Sequence, residues 1–197
     1  MNLALFDFDG TITSKDTYTP FIYSSVPKWR LIVCYPILIP VIAAYKWQLI
    51  GGSRTRSIIS KFAFWQQDEQ HIKAIGEDYA TSFDLQIKPQ ALARLQWHQM
   101  QGDTIVVLSA SLNVYLAPWC RQHGFKLICA ELESKKGKLT GRYINGDCSG
   151  AAKSNRVLAQ FDLQDFDKVY AYGDTEEDKP MLELADVSYY RWQKLTG

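Results

Sequence analysis

Leu3-Ala4-Leu5-Phe6-Asp7-Phe8-Asp9-Gly10-Thr11 is the stretch that decides the fold. Leu3 to Phe6 is apolar and reads as a short buried strand. Asp7 and Asp9 follow at spacing two. Alternate residues of a strand point the same way, so a tight exit brings both carboxylates to one mouth. Gly10 lets the chain turn sharply there. Two acids left together where a strand ends are costly unless a cation neutralises them. Magnesium fits, because it prefers hard oxygens and is usually held by one or two carboxylates. An aspartate beside it can attack a phosphoryl group and form an acyl phosphate. The competing reading is a plain Asp-Gly turn after a hydrophobic strand.

Outward from this stretch, three more segments carry polar residues at the ends of apolar runs. Asp103–Leu108 is β-branched and continuously apolar after its first residue, the mark of a strand buried on both faces, and it ends in Ser109-Ala110-Ser111. Residues 151–161 read as a helix that opens with Lys153. Val169–Tyr172 reads as a strand, with Gly173-Asp174-Thr175-Glu176-Glu177-Asp178 at its carboxyl end. Lys88-Pro89 starts a helix that ends near Gly102. Gly137-Lys138-Leu139-Thr140-Gly141 signals a hairpin. Buried strands alternating with helices predict an α/β fold with a doubly wound, mainly parallel sheet. Ligands of such sheets bind at the carboxyl ends of strands, where all these residues stand. The chain has no G-x-G-x-x-G, so no dinucleotide is implied.

Residues 17–83 look different. Leu31–Tyr45 is a run of 15 uncharged, mostly apolar residues, with Lys28, Trp29 and Arg30 before it and Lys46 and Trp47 after it. Aromatic and basic flanks suit a membrane interface. The run is shorter than the roughly 20 residues that span a bilayer, and Pro36 and Pro40 would break or kink a helix. The expectation is a buried core segment or helical hairpin; the other reading is a patch that dips into a membrane surface. The next helix presents Ile58, Ile59, Phe62 and Trp65 on one side at helical spacing. Arg54 and Lys61 lie along one edge of that side, and Arg56 near the opposite edge.

Composition bounds the function. The 197 residues are 47% hydrophobic, enough for a full core, and the net charge of +1 argues against a nucleic-acid binder. Cys34, Cys120, Cys129 and Cys148 form no Cys-x-x-Cys pair, which suits a reducing compartment. Cys120, His123 and Cys129 match no standard zinc spacing. A first strand starting at residue 3 leaves no room for a signal peptide.

Taken together, the DFDGT stretch, Ser109, Lys153 and the late acidic cluster resemble the four motifs of the haloacid dehalogenase-type phosphohydrolases, in order. The subgroup resembled is the phosphoserine phosphatase-like one. The resemblance implies that Asp7 is the nucleophile and Asp9 the general acid and base. It implies magnesium held by Asp7, the backbone carbonyl of Asp9, and Asp174, with Asp178 orienting that shell. Ser109, Ala110 and Lys153 would hold phosphoryl oxygens. Residues 1–16 and 84–197 would form the catalytic core, and residues 17–83 a helical cap. Asp16 stands where the subgroup reads a substrate amine, and Arg54 near its carboxylate-reading arginine. The chain departs from the subgroup in Asp9-Gly10, Ser109-Ala110-Ser111 and GDTEED, and its cap is more apolar. Asp16–Phe21 and the proline-containing run are similar to the cap of bacterial phosphatidylglycerophosphatases C. The expected activity is a magnesium-dependent phosphomonoester hydrolase acting on a small phosphorylated metabolite or a lipid phosphate. The expected location is the cytoplasm or its membrane surface. The alternative is a catalytically silent membrane-surface or partner-binding module. A dehalogenase is opposed by Asp9, which that branch of the family lacks.

Overall fold

The structure, a computed structural model, describes residues 1–195. All five residues of β1 (Leu3–Asp7) are buried. It runs parallel to β2 (Thr104–Leu112) on one side and β6 (Val169–Gly173) on the other. β3 (Lys126–Ala130) extends the sheet beyond β2, and β7 (Val187–Tyr190) and β8 (Gln193–Lys194) extend it beyond β6. The order is β3-β2-β1-β6-β7-β8, parallel except for β8. β1 is therefore buried on both faces and both edges, which explains its unbroken apolar run. The chain departs to opposite sides of β1, and a crevice opens above its carboxyl end.

Between β1 and β2 lie α1 (Tyr18–Ser25), α2 (Lys28–Lys46), α3 (Gly52–Phe64), α4 (Glu69–Ala80) and α5 (Pro89–Met100). α6 (Asn113–His123) connects β2 to β3. The hairpin of β4 (Leu132–Lys135) and β5 (Lys138–Tyr143) packs its second strand against α3. α7 (Ala151–Gln160) precedes β6, and the short α8 (Lys179–Leu182) follows it.

One buried cluster runs through both the insertion and the sheet. Phe8 packs edge-on against Phe83 and Trp119, and Tyr115 meets Phe21, Tyr79 and Phe83. Such aromatic pairs are worth about 0.5–1.5 kcal/mol each beyond their buried area. Gly76 brings α4 onto the start of α6: a Cβ there would lie 2.2 Å from the Val114 carbonyl oxygen.

Two expectations fail for Leu31–Tyr45. It forms one continuous helix with its flanking residues, and neither Pro36 nor Pro40 ends it. Both prolines stand on the exposed side, where their missing hydrogen bonds leave no buried group unpaired. Nor is the run a core segment. Only Cys34 is fully buried, with Leu31, Leu38 and Val41 half-buried along the same narrow stripe, whereas Ile32, Val33 and Ile39 are exposed. A helix apolar on every side normally has all its sides covered; this one is covered on one.

Candidate active site

Asp7 closes β1, and the chain then turns through Phe8–Ile12. Gly10 makes the turn with a φ of 86°, and a Cβ on it would meet Asp174 Oδ2 at 2.4 Å. The positive φ favours glycine here, and a side chain would also press on the Asp174 carboxylate. Asp7 is buried, and Lys153 Nζ, at the start of α7, donates to its Oδ1 at 2.7 Å and to Asp178 Oδ1 at 2.6 Å. Asp178 accepts at its other oxygen as well. Its Oδ2 accepts from the amides of Asp174 (3.2 Å) and Thr175 (3.0 Å) and from Thr175 Oγ1 (2.8 Å). Thr11 Oγ1 donates to Asp174 Oδ1 at 3.2 Å. Oxygens of Asp7, Asp174 and Asp178 lie within 4.8 Å of one another.

The charges do not balance. Burial pushes Asp7 up to about 7, against the pull of Lys153. Burial and the neighbouring Asp178 raise Asp174 as well. Burial would also raise Asp178, but Lys153 and Thr175 outweigh it and hold that carboxylate low. Burial would lower Lys153, but Asp7 and Asp178 hold its ammonium firmly charged. Lys153 touches Asp7 and Asp178, and Lys88 lies near enough to Asp174 to lower its pKa, so the three carboxylates still outnumber the lysines. An all-oxygen set short of positive charge suits a hard divalent cation. Asp7, Asp174 and Asp178 each have an oxygen near enough to the others to face such an ion, and Asp178 is the most heavily hydrogen-bonded of the three.

Asp9 is held differently. Its Oδ1 accepts from the Thr17 amide (2.7 Å) and Thr17 Oγ1 (2.6 Å). Its Oδ2 accepts from Ser111 Oγ at 2.5 Å and Ser109 Oγ at 3.4 Å. Burial raises its pKa, and the Ser111 and Thr17 hydrogen bonds oppose that rise. From the sequence, Ser111 is named only within Ser109-Ala110-Ser111 and Thr17 only within Asp16–Phe21, neither with a role at Asp9. Ser111 is within reach of a sequence reading, because residues two apart on a strand share a side. Register slips against β3 between Ser109 and Leu112, an irregularity of the kind that re-aims side chains beside a site.

A cavity of about 480 Å³ stands over these groups, lined by Asp7, Asp9, Ser109, Ala110, Lys153 and Asp178. Asp16 lines it too, but its carboxylate caps α1 by accepting from the amides of Tyr18 and Thr19, each at 3.1 Å. Arg54 does not reach it: the side chain is exposed on the far side of α3. The arginine that lines the cavity is Arg56. Its guanidinium clamps Asp147 through Nε (3.0 Å) and Nη2 (2.8 Å), and Nη2 also donates to Glu177 at 3.0 Å.

Comparison with known proteins places the fold in a family. The family model of the haloacid dehalogenase-like hydrolases matches residues 4–183. Protein CicA of Caulobacter vibrioides is 30% identical over 195 residues, covering 96% of this chain and 85% of CicA. A solved protein of unknown function from Bordetella pertussis Tohama I superposes with a TM-score of 0.77 at 21% identity, over 96% of this chain and 89% of its own. A substrate-bound phosphoserine phosphatase superposes with a TM-score of 0.65 at 15% identity, over 95% and 84%. This chain belongs to the haloacid dehalogenase-like hydrolases.

Proposed function

We propose that the protein is a magnesium-dependent phosphomonoester hydrolase that works through an aspartyl-phosphate on Asp7. The observation that carries this reading is the meeting of Asp7, Asp9, Lys153 and Asp174 at the ends of β1 and β6 and the start of α7. Bound magnesium would supply charge neutralisation for Asp7, Asp174 and a phosphoryl oxygen. Asp7 attacks phosphorus in line with the leaving oxygen. Asp9, when protonated, gives that oxygen its proton; as a carboxylate it then takes a proton from the water that cleaves the acyl phosphate. Ser109 and Lys153 hold phosphoryl oxygens, the lysine as a charge already fixed in place. Residues 17–83 act as the cap and residues 1–16 and 84–197 as the core. Turnover of p-nitrophenyl phosphate with magnesium, lost with EDTA, tests the reading; no turnover with magnesium, manganese or cobalt refutes it.

Asp9→Asn is expected to lower kcat by roughly 10² to 10⁴, the usual share of general acid–base catalysis. The substitution keeps the Thr17 contacts to Oδ1, so magnesium affinity should stay within a few-fold of wild type. Steady-state rates and a magnesium titration of activity check it. A magnesium affinity that collapses as in Asp174→Asn would contradict the assignment.

The substrate is a small phosphorylated metabolite or a lipid phosphate, and the lipid reading has support of its own. Trp29 and Trp47 stand exposed at the two ends of α2, beside Lys28, Arg30 and Lys46. Arg30 Nη1 donates to the carbonyls of Ala63 (3.2 Å) and Trp65 (2.6 Å), and the other end of α2 rims the catalytic cavity through Ile42, Tyr45 and Lys46. A helix fastened at both ends to one body lies along it, so its free face can rest on a membrane surface. The cysteines are all free and buried, in keeping with a reducing cytoplasm. Co-sedimentation with anionic liposomes should be strong at low salt, weaker at high salt, and much reduced in a Trp29→Ala, Trp47→Ala variant. No binding at either salt favours the soluble metabolite.

A further inference from the structure

Beside the catalytic cavity lies a smaller hollow of about 80 Å³ between α1, α2 and α3. Its walls include Tyr18, Ile22, Leu31, Leu38, Ile42 and Ile59, and none of its lining side chains is charged. Tyr18, Thr19, Ile42 and Ile59 line both cavities, so the two adjoin across these four side chains. The combined space is strongly charged at Asp7 and Lys153 and apolar at the α2 end.

Two of the charged groups beside the cavity that could read a small charged substrate, Arg56 and Asp16, are already engaged by the protein. Arg56 is neutralised by Asp147 and Glu177, and those two acids would repel a substrate carboxylate brought to it. Asp16 uses its oxygens to cap α1. Apart from Lys46 at the rim, which can meet only an anion, what the insertion offers the cavity is mainly the hydrocarbon of Tyr18, Ile42, Tyr45 and Ile59. Apolar surface of that kind beside a phosphoryl site discriminates by burying the apolar part of the molecule that carries the phosphate.

We propose that this hollow is a chain-binding subsite: it takes the first carbons of a linear alkyl or acyl chain whose phosphate monoester end sits at Asp7. The rest of the chain runs out along α2. The substrate class is an amphiphilic phosphomonoester. This rests on the hydrolase reading above and adds the part of the substrate remote from phosphorus.

The test is a series of n-alkyl phosphates from ethyl to octyl, below their micelle concentrations, with p-nitrophenyl phosphate as reference. Each added methylene should raise kcat/KM about three- to fourfold until the hollow is filled. The matching alkyl phosphonates should tighten as inhibitors in step, independently of any variant. Leu38→Trp, which fills the hollow from α2, should flatten the series; the readout is the slope within each protein, so a general loss of rate does not affect it. A flat series in the wild type, with p-nitrophenyl phosphate still hydrolysed, overturns the subsite and leaves the hydrolase. A rising series that Leu38→Trp leaves equally steep puts the chain elsewhere and overturns it too. Failure to hydrolyse any ester overturns both readings.

Discussion

Asp7→Asn will hydrolyse p-nitrophenyl phosphate at least about 10⁴-fold more slowly than the wild type, and acid quenching will trap no phosphorylated protein. The amide is nearly the same shape, so packing at the end of β1 is kept. What disappears is the oxygen lone pair that forms the bond to phosphorus. Asp7 Oδ1 also holds Lys153, but Lys153 keeps its second partner in Asp178 and stays in place. The loss should therefore fall on chemistry and not on folding. Initial rates, rapid-quench labelling and a melting curve separate the two. A variant within tenfold of the wild-type rate would exclude Asp7 as nucleophile, once slow deamidation to aspartate is ruled out by mass.

Lys153→Met should have the largest effect on stability as well as abolishing turnover. Lys153 is almost wholly buried and touches two carboxylates. Removing one member of a buried ion network costs about 3–5 kcal/mol, because the charges left behind are unpaired. In a chain of this length that lowers the melting temperature by on the order of 10 °C. The pH dependence has a definite sign. Burial already raises Asp7 above its unfolded value, and without the ammonium it rises further, while Asp178 loses the charge that does most to hold it low. A group with a raised folded-state pKa stabilises most when protonated, and that stability is lost as pH rises through the folded value. The deficit against wild type should be larger at pH 8 than at pH 5. Melting curves at both pH values decide it. A drop of less than about 2 °C at both would mean that the ion network does not form.

How far the sequence is legible depends on which force fixes each residue. The strand, the Gly10 turn and the carboxylates are fixed locally by burial, φ and spacing, and they can be read directly. Lys153 and Asp178 are readable because each opens or follows an element at the same edge of the sheet. Arg54 and Arg56 are not. The buried residues of α3 are Gly52, Thr55, Ser60, Ala63 and Phe64, all small but the last. Small residues are needed there because β5 approaches closely: a Cβ on Gly141 would lie 2.7 Å from the Lys61 backbone. A stripe chosen for closeness has little hydrophobic signal. The larger residues Ile58, Phe62 and Trp65 suggest a different side, and Trp65 is in fact exposed beyond the helix end. Thr17 escapes because its role comes from a loop returning over Asp9. For α2, composition records only that its sides are apolar, not whether protein or lipid covers them.

The aromatic cluster that joins Phe21 and Tyr79 of the insertion to Phe8, Tyr115 and Trp119 of the sheet has a consequence for how the molecule comes apart. There is no seam between two independently folded pieces at this point. Swinging α1 and α4 away would strip the back of β1 and the start of α6 in the same event. The insertion and the sheet should therefore melt in one transition, and amide exchange in α4 should follow the slow exchange of β1. Breathing of the molecule is left to α2, which is covered along one stripe only and whose second half forms part of the wall of the catalytic cavity.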